Sequence, residues 1–151
     1  MKEDLFESFS VEETQSIGFN FAKNLKKGDV IAFYGDLGVG KTEFIRGICK
    51  FYNISSGVSS PTYTIINEYE GNNENKPVKL FHLDLYRIKE AEELIYIGYH
   101  DYVFQDEGIT LIEWAGNSFD ELPHKHIKVI IETTLKNDKR IVKIKSLNRS
   151  K

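Results

Sequence analysis

The sequence predicts an α/β protein in which helices flank a mixed central sheet, so that the chain forms three layers. Two observations lead to this prediction. A short apolar run with strand character, residues 30–34, is followed by a glycine-rich loop and then by apolar residues at helical spacing. Further apolar runs follow, and two of them are joined by a link too short for a crossover helix. With 151 residues, the chain is expected to form one domain over residues 1–151.

The glycine-rich loop, residues 35–42, matches the phosphate-loop pattern G-x-x-x-x-G-K-[ST] at every fixed position. It lies between the predicted strand at 30–34 and a predicted helix at 43–51, which is the context that this pattern requires. The fold class is therefore expected to be P-loop NTPase-like. An ordinary glycine turn with a surface lysine is the alternative, and the agreement between the motif and its flanks disfavours it.

The residue types of this loop suit a nucleotide phosphate. Glycines can adopt positive φ angles without a steric penalty, so consecutive backbone N–H groups can turn toward one anion. Lys41 is expected to reach the β- and γ-phosphates, and the Thr42 hydroxyl is expected to bind Mg²⁺. The predicted nucleotide contacts in the loop are Gly35, Leu37, Gly38, Val39, Gly40, Lys41 and Thr42.

The other elements are predicted from capping and periodicity. Ser10, with Glu13 three residues later, forms a capping box that begins a helix, and this helix is expected to end near residues 26–28. Residues 62–69 and 78–86 are predicted to be antiparallel neighbouring strands. The remaining predicted elements are a short helix at 89–97, an irregular segment at 98–108, a buried strand at 109–113, and a hairpin of 127–135 with 140–147 at a half-exposed sheet edge.

Two carboxylates follow apolar runs and are candidates for the metal site. Asp84 ends the run 80–84, and Glu113 follows the run 109–112. A phosphate loop needs a further acidic residue for Mg²⁺, and strand ends of this kind meet at the sheet edge where the loop opens. One carboxylate can hold the metal while the other orients water, and the sequence does not assign the two roles. A surface salt bridge is the alternative for each.

A few other residues near these motifs have less definite roles. Thr62 and Thr64 follow a Ser/Gly-rich stretch that a γ-phosphate can order, as in the switch loops of GTPases, and plain strand hydroxyls are the alternative. His82 lies within a predicted strand, and Cys49 lies on the apolar face of the helix after the loop. Both are expected to be structural.

The charge of the chain is distributed unevenly. Residues 1–123 hold 11 basic and 21 acidic side chains, whereas residues 124–151 hold nine basic and two acidic ones. A basic C-terminal hairpin can contact tRNA or another acidic surface, and lysines that protect an exposed edge strand are the favoured alternative. No apolar run approaches the length needed to span a membrane, and a single cysteine excludes an internal disulfide, so we expect a cytoplasmic protein without membrane contact.

Taken together, these motifs resemble those of the TsaE (YjeE) family of bacterial P-loop ATPases. The resemblance spans about residues 10–145 and is more specific than the phosphate loop alone. The matching pieces, in chain order, are Ser10-x-Glu12-Glu13-Thr14, the loop Gly35–Thr42, Arg46-Gly47, Ser60-Pro61-Thr62-Tyr63-Thr64, Asp84-Leu85-Tyr86-Arg87, Asp101-Tyr102 and Glu113-Trp114.

The resemblance implies an ATP- and Mg²⁺-binding protein that supports threonylcarbamoylation of the adenosine beside the tRNA anticodon. It implies slow ATP hydrolysis by the protein alone, and action on the complex of the transferase TsaD with its paralogue TsaB, which ATP turnover resets between cycles. By this resemblance, Lys41 and Thr42 bind phosphate and metal, Glu113 helps to hold Mg²⁺, and Asp84 is needed for hydrolysis. The nucleotide base is expected near Ser10 and Arg140.

One residue departs from the family pattern. The family commonly has a second threonine after the loop threonine, and this chain has Glu43 there. A carboxylate facing the phosphates weakens nucleotide binding, so Glu43 is expected to point away from them.

Two other functions remain open at this stage. A small-molecule P-loop kinase usually closes an arginine-bearing lid over the transferred phosphoryl group, and this chain has four scattered arginines with none between residues 88 and 139. A nucleotide-gated interaction module without meaningful turnover is the other alternative. ATPase assays with candidate metabolites, and an Asp84 variant, separate the three.

Overall fold

A computed structural model shows the fold of residues 2–36, 38–54, 66–134 and 138–148, which are the residues described below. Leu37, a predicted phosphate contact, lies outside them, as does the segment with Thr62 and Thr64. Among the described residues, no helix combines the length and the apolar character that crossing a membrane requires.

The centre of the structure is a seven-stranded mixed sheet, which confirms the predicted fold class. The strands follow the order β1-β7-β6-β2-β5-β4-β3 across the sheet. β2 is parallel to both β5 and β6, and β4 is parallel to β5, whereas the outer pairs are antiparallel. The strands are β1 Lys2–Ser8, β2 Val30–Tyr34, β3 Ile66–Asn73, β4 Lys76–Asp84, β5 Ile109–Glu113, β6 Lys125–Thr133 and β7 Arg140–Asn148.

Helices cover both faces of this sheet. They are α1 Val11–Ala22, α2 Lys41–Phe51, α3 Ala91–Tyr96 and α4 Tyr99–Val103, together with a short 3-10 helix Ala115–Ser118. Alternation along β2 sends Ile31 and Phe33 into the core beneath α1 and α2, while Val30 and Ala32 enter the core on the opposite face. The predicted three-layer arrangement is therefore confirmed.

The first two helices pack against each other at very short range. A Cβ atom built at Gly47 of α2 would lie only 2.0 Å from the carbonyl oxygen of Gln15 in α1. Only glycine allows this approach, because any side chain would force the helices apart. This contact packs the first half of α1 against the middle of α2. The start of α1 also reaches the phosphate loop, since a Cβ atom at Gly40 would lie 3.6 Å from the Thr14 side chain.

Several predicted boundaries differ from the observed ones, since β3 ends at Asn73 rather than at residue 69 and β4 ends at Asp84 rather than at residue 86. Two further differences concern short helical turns. α1 ends at Ala22 rather than near residues 26–28, because Lys23, Asn24 and Leu25 donate their N–H groups to carbonyls three residues back and so form tighter turns. The segment 98–108, predicted to be irregular, contains α4, which begins after Gly98 in a left-handed conformation. Both errors concern short turns that apolar periodicity does not register.

The predicted sheet edge is also wrong. β7 is not an edge strand, since β1 pairs with it along its length from Lys2↔Ser146 to Ser8↔Arg140. β1 was missed because nearly all its side chains are exposed, so that it lacks the apolar alternation of a half-buried strand. The predicted hairpin of β6 with β7 and the antiparallel pairing of β3 with β4 are confirmed.

Candidate phosphate and metal site

The loop between β2 and α2 has the backbone geometry of an anion cradle. Gly35, Gly38 and Gly40 have φ angles of 145°, 79° and 113°, which confirms the prediction that these positions need glycine. Packing also leaves no room for a side chain at Gly35, because a Cβ atom there would lie 2.5 Å from the carbonyl oxygen of Ile131. At Gly38 it would meet nothing within 4 Å, so the loop is open on that side.

Helix α2 begins directly after the loop. Gly40 occupies the N-cap position, and no side chain among the described residues caps the helix there. Gly40 has no side chain that could accept from the first N–H groups of α2, and these groups carry the positive end of the helix dipole. This donor set fits a phosphate group.

Lys41 is the first residue of α2 and is only 4 % exposed. Its ammonium group donates hydrogen bonds to the carbonyl oxygens of Gly35 and, at 3.3 Å, of Asp36. It also lies 3.8 Å from the centroid of the Trp114 ring, within the range of a cation–π interaction. Burial lowers the pKa of Lys41, and the nearby carboxylates, Glu113 first among them, offset part of that effect.

The structure brings both predicted carboxylates to the loop. Asp84 ends β4 and Glu113 ends β5, and the two residues are direct partners in the parallel pairing of these strands. Glu113 is 2 % exposed, and its Oε1 accepts a hydrogen bond of 3.3 Å from the Thr42 hydroxyl. Glu113 is therefore not part of a surface salt bridge, which was the alternative role for this residue. Two carboxylates and a hydroxyl form an oxygen donor set that suits Mg²⁺.

Asp84 is held differently from Glu113. It is partly exposed, and its Oδ1 accepts the backbone N–H of Tyr86 at 2.9 Å. Burial raises the pKa of Asp84; the Tyr86 N–H lowers it, the charge of Glu113 raises it again, and His82 and Lys41 lower it. The net shift is upward, so the ionised form of Asp84 is less stable here than in water. A cation in the site would relieve this cost.

Two clefts meet at the phosphate loop. One, of about 310 Å³, lies between the loop and the strand ends, and its lining residues include Lys41, Thr42, Asp84 and Glu113. The other, of about 260 Å³, contains the predicted base contacts Ser10 and Arg140. Gly38, Gly40 and Glu43 line both. A nucleotide that lies across the loop can therefore reach both groups of predicted residues.

The second cleft is held in shape by contacts to the loop and to α1. Arg140 donates from Nε to the carbonyl oxygen of Val39 at 3.0 Å. Ser10 is the N-cap of α1, and its hydroxyl accepts the N–H of Glu13 at 3.1 Å, which confirms the predicted start of this helix. Glu13 in turn accepts the N–H of Phe9 at 2.7 Å. The Arg140 contact ties β7 to the loop, and the other two contacts fix the start of α1.

Glu43 is engaged on the α1 side of the loop. Its carboxylate pairs with Arg46 and accepts a hydrogen bond of 2.6 Å from the amide of Gln15. These partners engage the Glu43 carboxylate, and the expectation that it points away from the phosphates stays a prediction. Glu43 nevertheless lies at the rim of both clefts.

Sequence reasoning missed part of the site. His82, expected to be structural, is fully buried and lies 2.6 Å from Oε2 of Glu113 through Nε2. Its position two residues before Asp84 puts both side chains on the same face of β4, and this alternation is the signal that links His82 to the site. Cys49 is a buried core thiol as expected, and burial raises its pKa to about 12.

Comparisons with known proteins agree with this geometry. The sequence profile of the family described as "Threonylcarbamoyl adenosine biosynthesis protein TsaE" matches residues 8–142. A tRNA threonylcarbamoyladenosine biosynthesis protein TsaE from Bacillus subtilis is 34% identical over 141 residues, which cover 93% of this chain and 85% of the relative. The protein of the same name from Rickettsia typhi is 36% identical, with coverage of 92% of each chain.

A solved structure is similar as well. The crystal structure of YdiB from Bacillus subtilis superimposes with a TM-score of 0.78 at 28% sequence identity, covering 97% of this chain and 87% of YdiB. The sequence profile and the curated relatives extend over the phosphate loop and both carboxylates. On this evidence the chain belongs to the TsaE family.

Proposed function

We propose that this protein is a Mg²⁺-dependent ATPase of the cytoplasm that is required for N6-threonylcarbamoyladenosine modification of tRNA. It acts on the TsaD–TsaB complex and sustains the turnover of that complex. The observation that carries the proposal is the meeting of Lys41, Thr42, Asp84 and Glu113 at one phosphate loop. Membership of the TsaE family, whose relatives are named for tRNA threonylcarbamoyladenosine biosynthesis, supports the pathway.

The binding role belongs to the loop and to Lys41. The backbone N–H groups after Gly38 and the start of α2 surround the β- and γ-phosphates, and Lys41 exchanges its contacts with Gly35 and Asp36 for phosphate oxygens. Lys41 is already largely removed from water, so it need lose little hydration when it makes this exchange. The ring of Trp114 keeps its ammonium group beside the cleft during the exchange.

The metal role belongs to Thr42 and Glu113, with Asp84 completing the site. Thr42 and Glu113 already share a hydrogen bond, so both oxygens are directed at the same small volume. When bound there, Mg²⁺ neutralises charge on the phosphates. Asp84, more exposed and on the neighbouring strand, is placed to orient the attacking water or a water on the metal.

The basic C-terminal hairpin contributes less to this function than its charge suggests. Lys139, Lys143 and Lys145 form salt bridges of 3.2, 3.7 and 3.7 Å with Glu7, Glu132 and Glu3. These pairs join β7 to its two neighbouring strands and offset much of the local positive charge. We therefore propose that tRNA is reached indirectly, through TsaD and TsaB, rather than through this hairpin.

The test is reconstitution of tRNA modification with TsaD, TsaB and this protein under multiple-turnover conditions. We expect ATP hydrolysis to be slow for the protein alone and stimulated by the two partners. The Asp84→Asn variant should bind ATP and join the complex, yet limit modification to about one cycle. Sustained modification by this variant would favour a nucleotide-gated module, and ADP release stimulated by a metabolite instead of by the partners would favour a kinase.

A further inference from the structure

A buried polar chain lies behind the candidate metal site. Tyr69 on β3, His82 on β4 and Glu113 on β5 are joined by hydrogen bonds across three adjacent strands. We infer that His82 is a positioning residue that holds the Glu113 carboxylate in the orientation in which it receives Mg²⁺. This inference rests on the proposed function, because it assigns a second layer of residues to the same metal site.

The two carboxylate oxygens of Glu113 make different contacts. Oε2 lies 2.6 Å from Nε2 of His82, in the core. Oε1 lies 3.3 Å from the Thr42 hydroxyl, which lines the cleft. One oxygen is therefore held inside the protein while the other faces the position where a metal would bind. Without the inner contact, rotation about the last side-chain bond would exchange the two oxygens or turn both away.

The ring of His82 is itself held from the other side. Its Nδ1 lies 3.1 Å from the hydroxyl of Tyr69, and the two rings pack with centroids 5.9 Å apart. An ionised carboxylate can only accept hydrogen bonds, so Nε2 of His82 donates to Glu113. The Tyr69 hydroxyl occupies the hydrogen-bonding position of Nδ1, so Tyr69 fixes the orientation of the ring that Glu113 contacts.

All three members of this hydrogen-bonded chain of side chains are largely buried. His82 is fully buried, Glu113 is 2 % exposed and Tyr69 is 8 % exposed, so water does not supply the missing partner if one is removed. Residues that hold a metal-binding carboxylate or imidazole from behind typically change metal affinity by about 10- to 100-fold when they are replaced. His82 does not line the cleft, whereas Glu113, which it contacts, does, so its positioning effect on the metal acts through Glu113.

The experiment compares nucleotide affinity in Mg²⁺ with nucleotide affinity in EDTA, using a fluorescent ATP analogue and the full-length protein. In wild type, we expect Mg²⁺ to strengthen binding through Glu113. His82→Leu should lose about tenfold or more of this strengthening while keeping the wild-type affinity in EDTA. His82→Gln, whose amide can donate from nearly the position of Nε2, should restore most of it, and Tyr69→Phe should lose a smaller part.

Leu80→Ala serves as the matched control, because Leu80 is fully buried on β4 two residues before His82. It should destabilise the protein and leave the Mg²⁺ effect unchanged. The inference is overturned if His82→Leu keeps the full Mg²⁺ effect, or if its affinity falls equally in EDTA, which would indicate a purely structural role. A wild-type protein that binds the analogue equally well with and without Mg²⁺ would instead refute the proposed metal site, and the inference with it.

Discussion

Charged residues are used in opposite ways in two regions of this sheet. At the carboxyl ends of β4 and β5, the charged groups are few and withdrawn from water, with Lys41 and Glu113 both below 5 % exposure. On β1, β6 and β7, the charged groups are many and partly or fully exposed. Lys139, which directly precedes β7, and Lys143 and Lys145 of β7 pair with glutamates of the neighbouring strands. The region with more charged side chains is therefore not the candidate functional one.

The physical reason lies in the solvent. Water and salt screen an exposed pair, so each such pair contributes roughly 0–1 kcal/mol to stability. Solvent screens a buried charge only weakly, and burying it costs free energy unless the charge is paired. The buried charges of Lys41 and Glu113 therefore indicate that a bound ligand compensates this cost or that function maintains it. Burial, rather than the number of charges, separates the two regions. Three predictions test this difference, beginning with the largest expected effect.

The first prediction compares two lysines, one from each region. Lys41→Ala should reduce partner-stimulated ATP hydrolysis by at least about 100-fold, because preorganised charge stabilisation of phosphate in a dry site is lost. Lys143→Ala should leave hydrolysis within about twofold of wild type, since Lys143 lines neither cleft and its salt bridge with Glu132 is partly exposed. Steady-state ADP release with TsaD and TsaB present measures both variants.

Equal losses for the two lysines would contradict the comparison. The expected difference also requires that both variants remain folded, which thermal unfolding followed by circular dichroism checks. Lys41→Ala should not unfold the protein, because burial already lowers the pKa of this lysine and so disfavours its charged form in the folded state.

The second prediction concerns the stability of the site itself. The pKa of Asp84 is raised in the folded protein, mainly by burial, so its ionised form destabilises the protein without nucleotide or metal at neutral pH. This cost is absent below the unfolded pKa of about 3.9 and is complete above the folded pKa. Asp84→Asn, which can keep the acceptor for the Tyr86 N–H, should therefore raise the melting temperature at pH 7 while reducing hydrolysis.

The pH dependence of the melting temperature tests whether the charge of Asp84 causes this effect. The gain in melting temperature from Asp84→Asn should shrink as the pH falls toward 4 and should vanish below it, because Asp84 is then protonated in both states. A gain that persists unchanged at low pH would mean that shape, not charge, is responsible. Melting curves in metal-free buffer at a series of pH values distinguish the two explanations.

The comparison also shows what the sequence could predict. The phosphate loop, Asp84 and Glu113 were found because each is marked locally, by a glycine spacing or by an acid that ends an apolar run. The structure adds that the strands of Asp84 and Glu113 are neighbours, which alternation cannot establish. The core strands β2, β4 and β5 are also visible in the sequence as nearly continuous apolar runs, because they are buried on both faces.

What sequence reasoning missed depends on distant contacts. β1 exists because its backbone pairs with β7, almost 140 positions later, and its exposed side chains carry no pattern of their own. The sequence favours a structural role for His82, because a buried histidine within a strand usually has one, and only the position of β5 beside β4 shows its contact with Glu113. The placement of β1 in turn shows that the lysines of β7 face glutamates.

The third and smallest effect is expected for the basic hairpin. Changing Lys139, Lys143 and Lys145 together to glutamine should lower the melting temperature by only a few degrees, because three partly exposed pairs contribute about 0–1 kcal/mol each. Association with TsaD–TsaB should be unchanged at low salt. Arg140 is left intact in this variant, because its side chain contacts the phosphate loop.

Salt dependence makes this last experiment decisive. If the hairpin binds tRNA or an acidic partner surface, removal of three charges must weaken assembly strongly at low salt and little at high salt, because each ionic contact releases counterions. If the lysines instead hold β7 to β1 and β6, the substitutions leave assembly with TsaD–TsaB unchanged at both salt concentrations. Only the melting temperature of the protein then changes. Sedimentation of the complex at two salt concentrations, with the melting curve of each variant, separates an interface from a paired sheet surface.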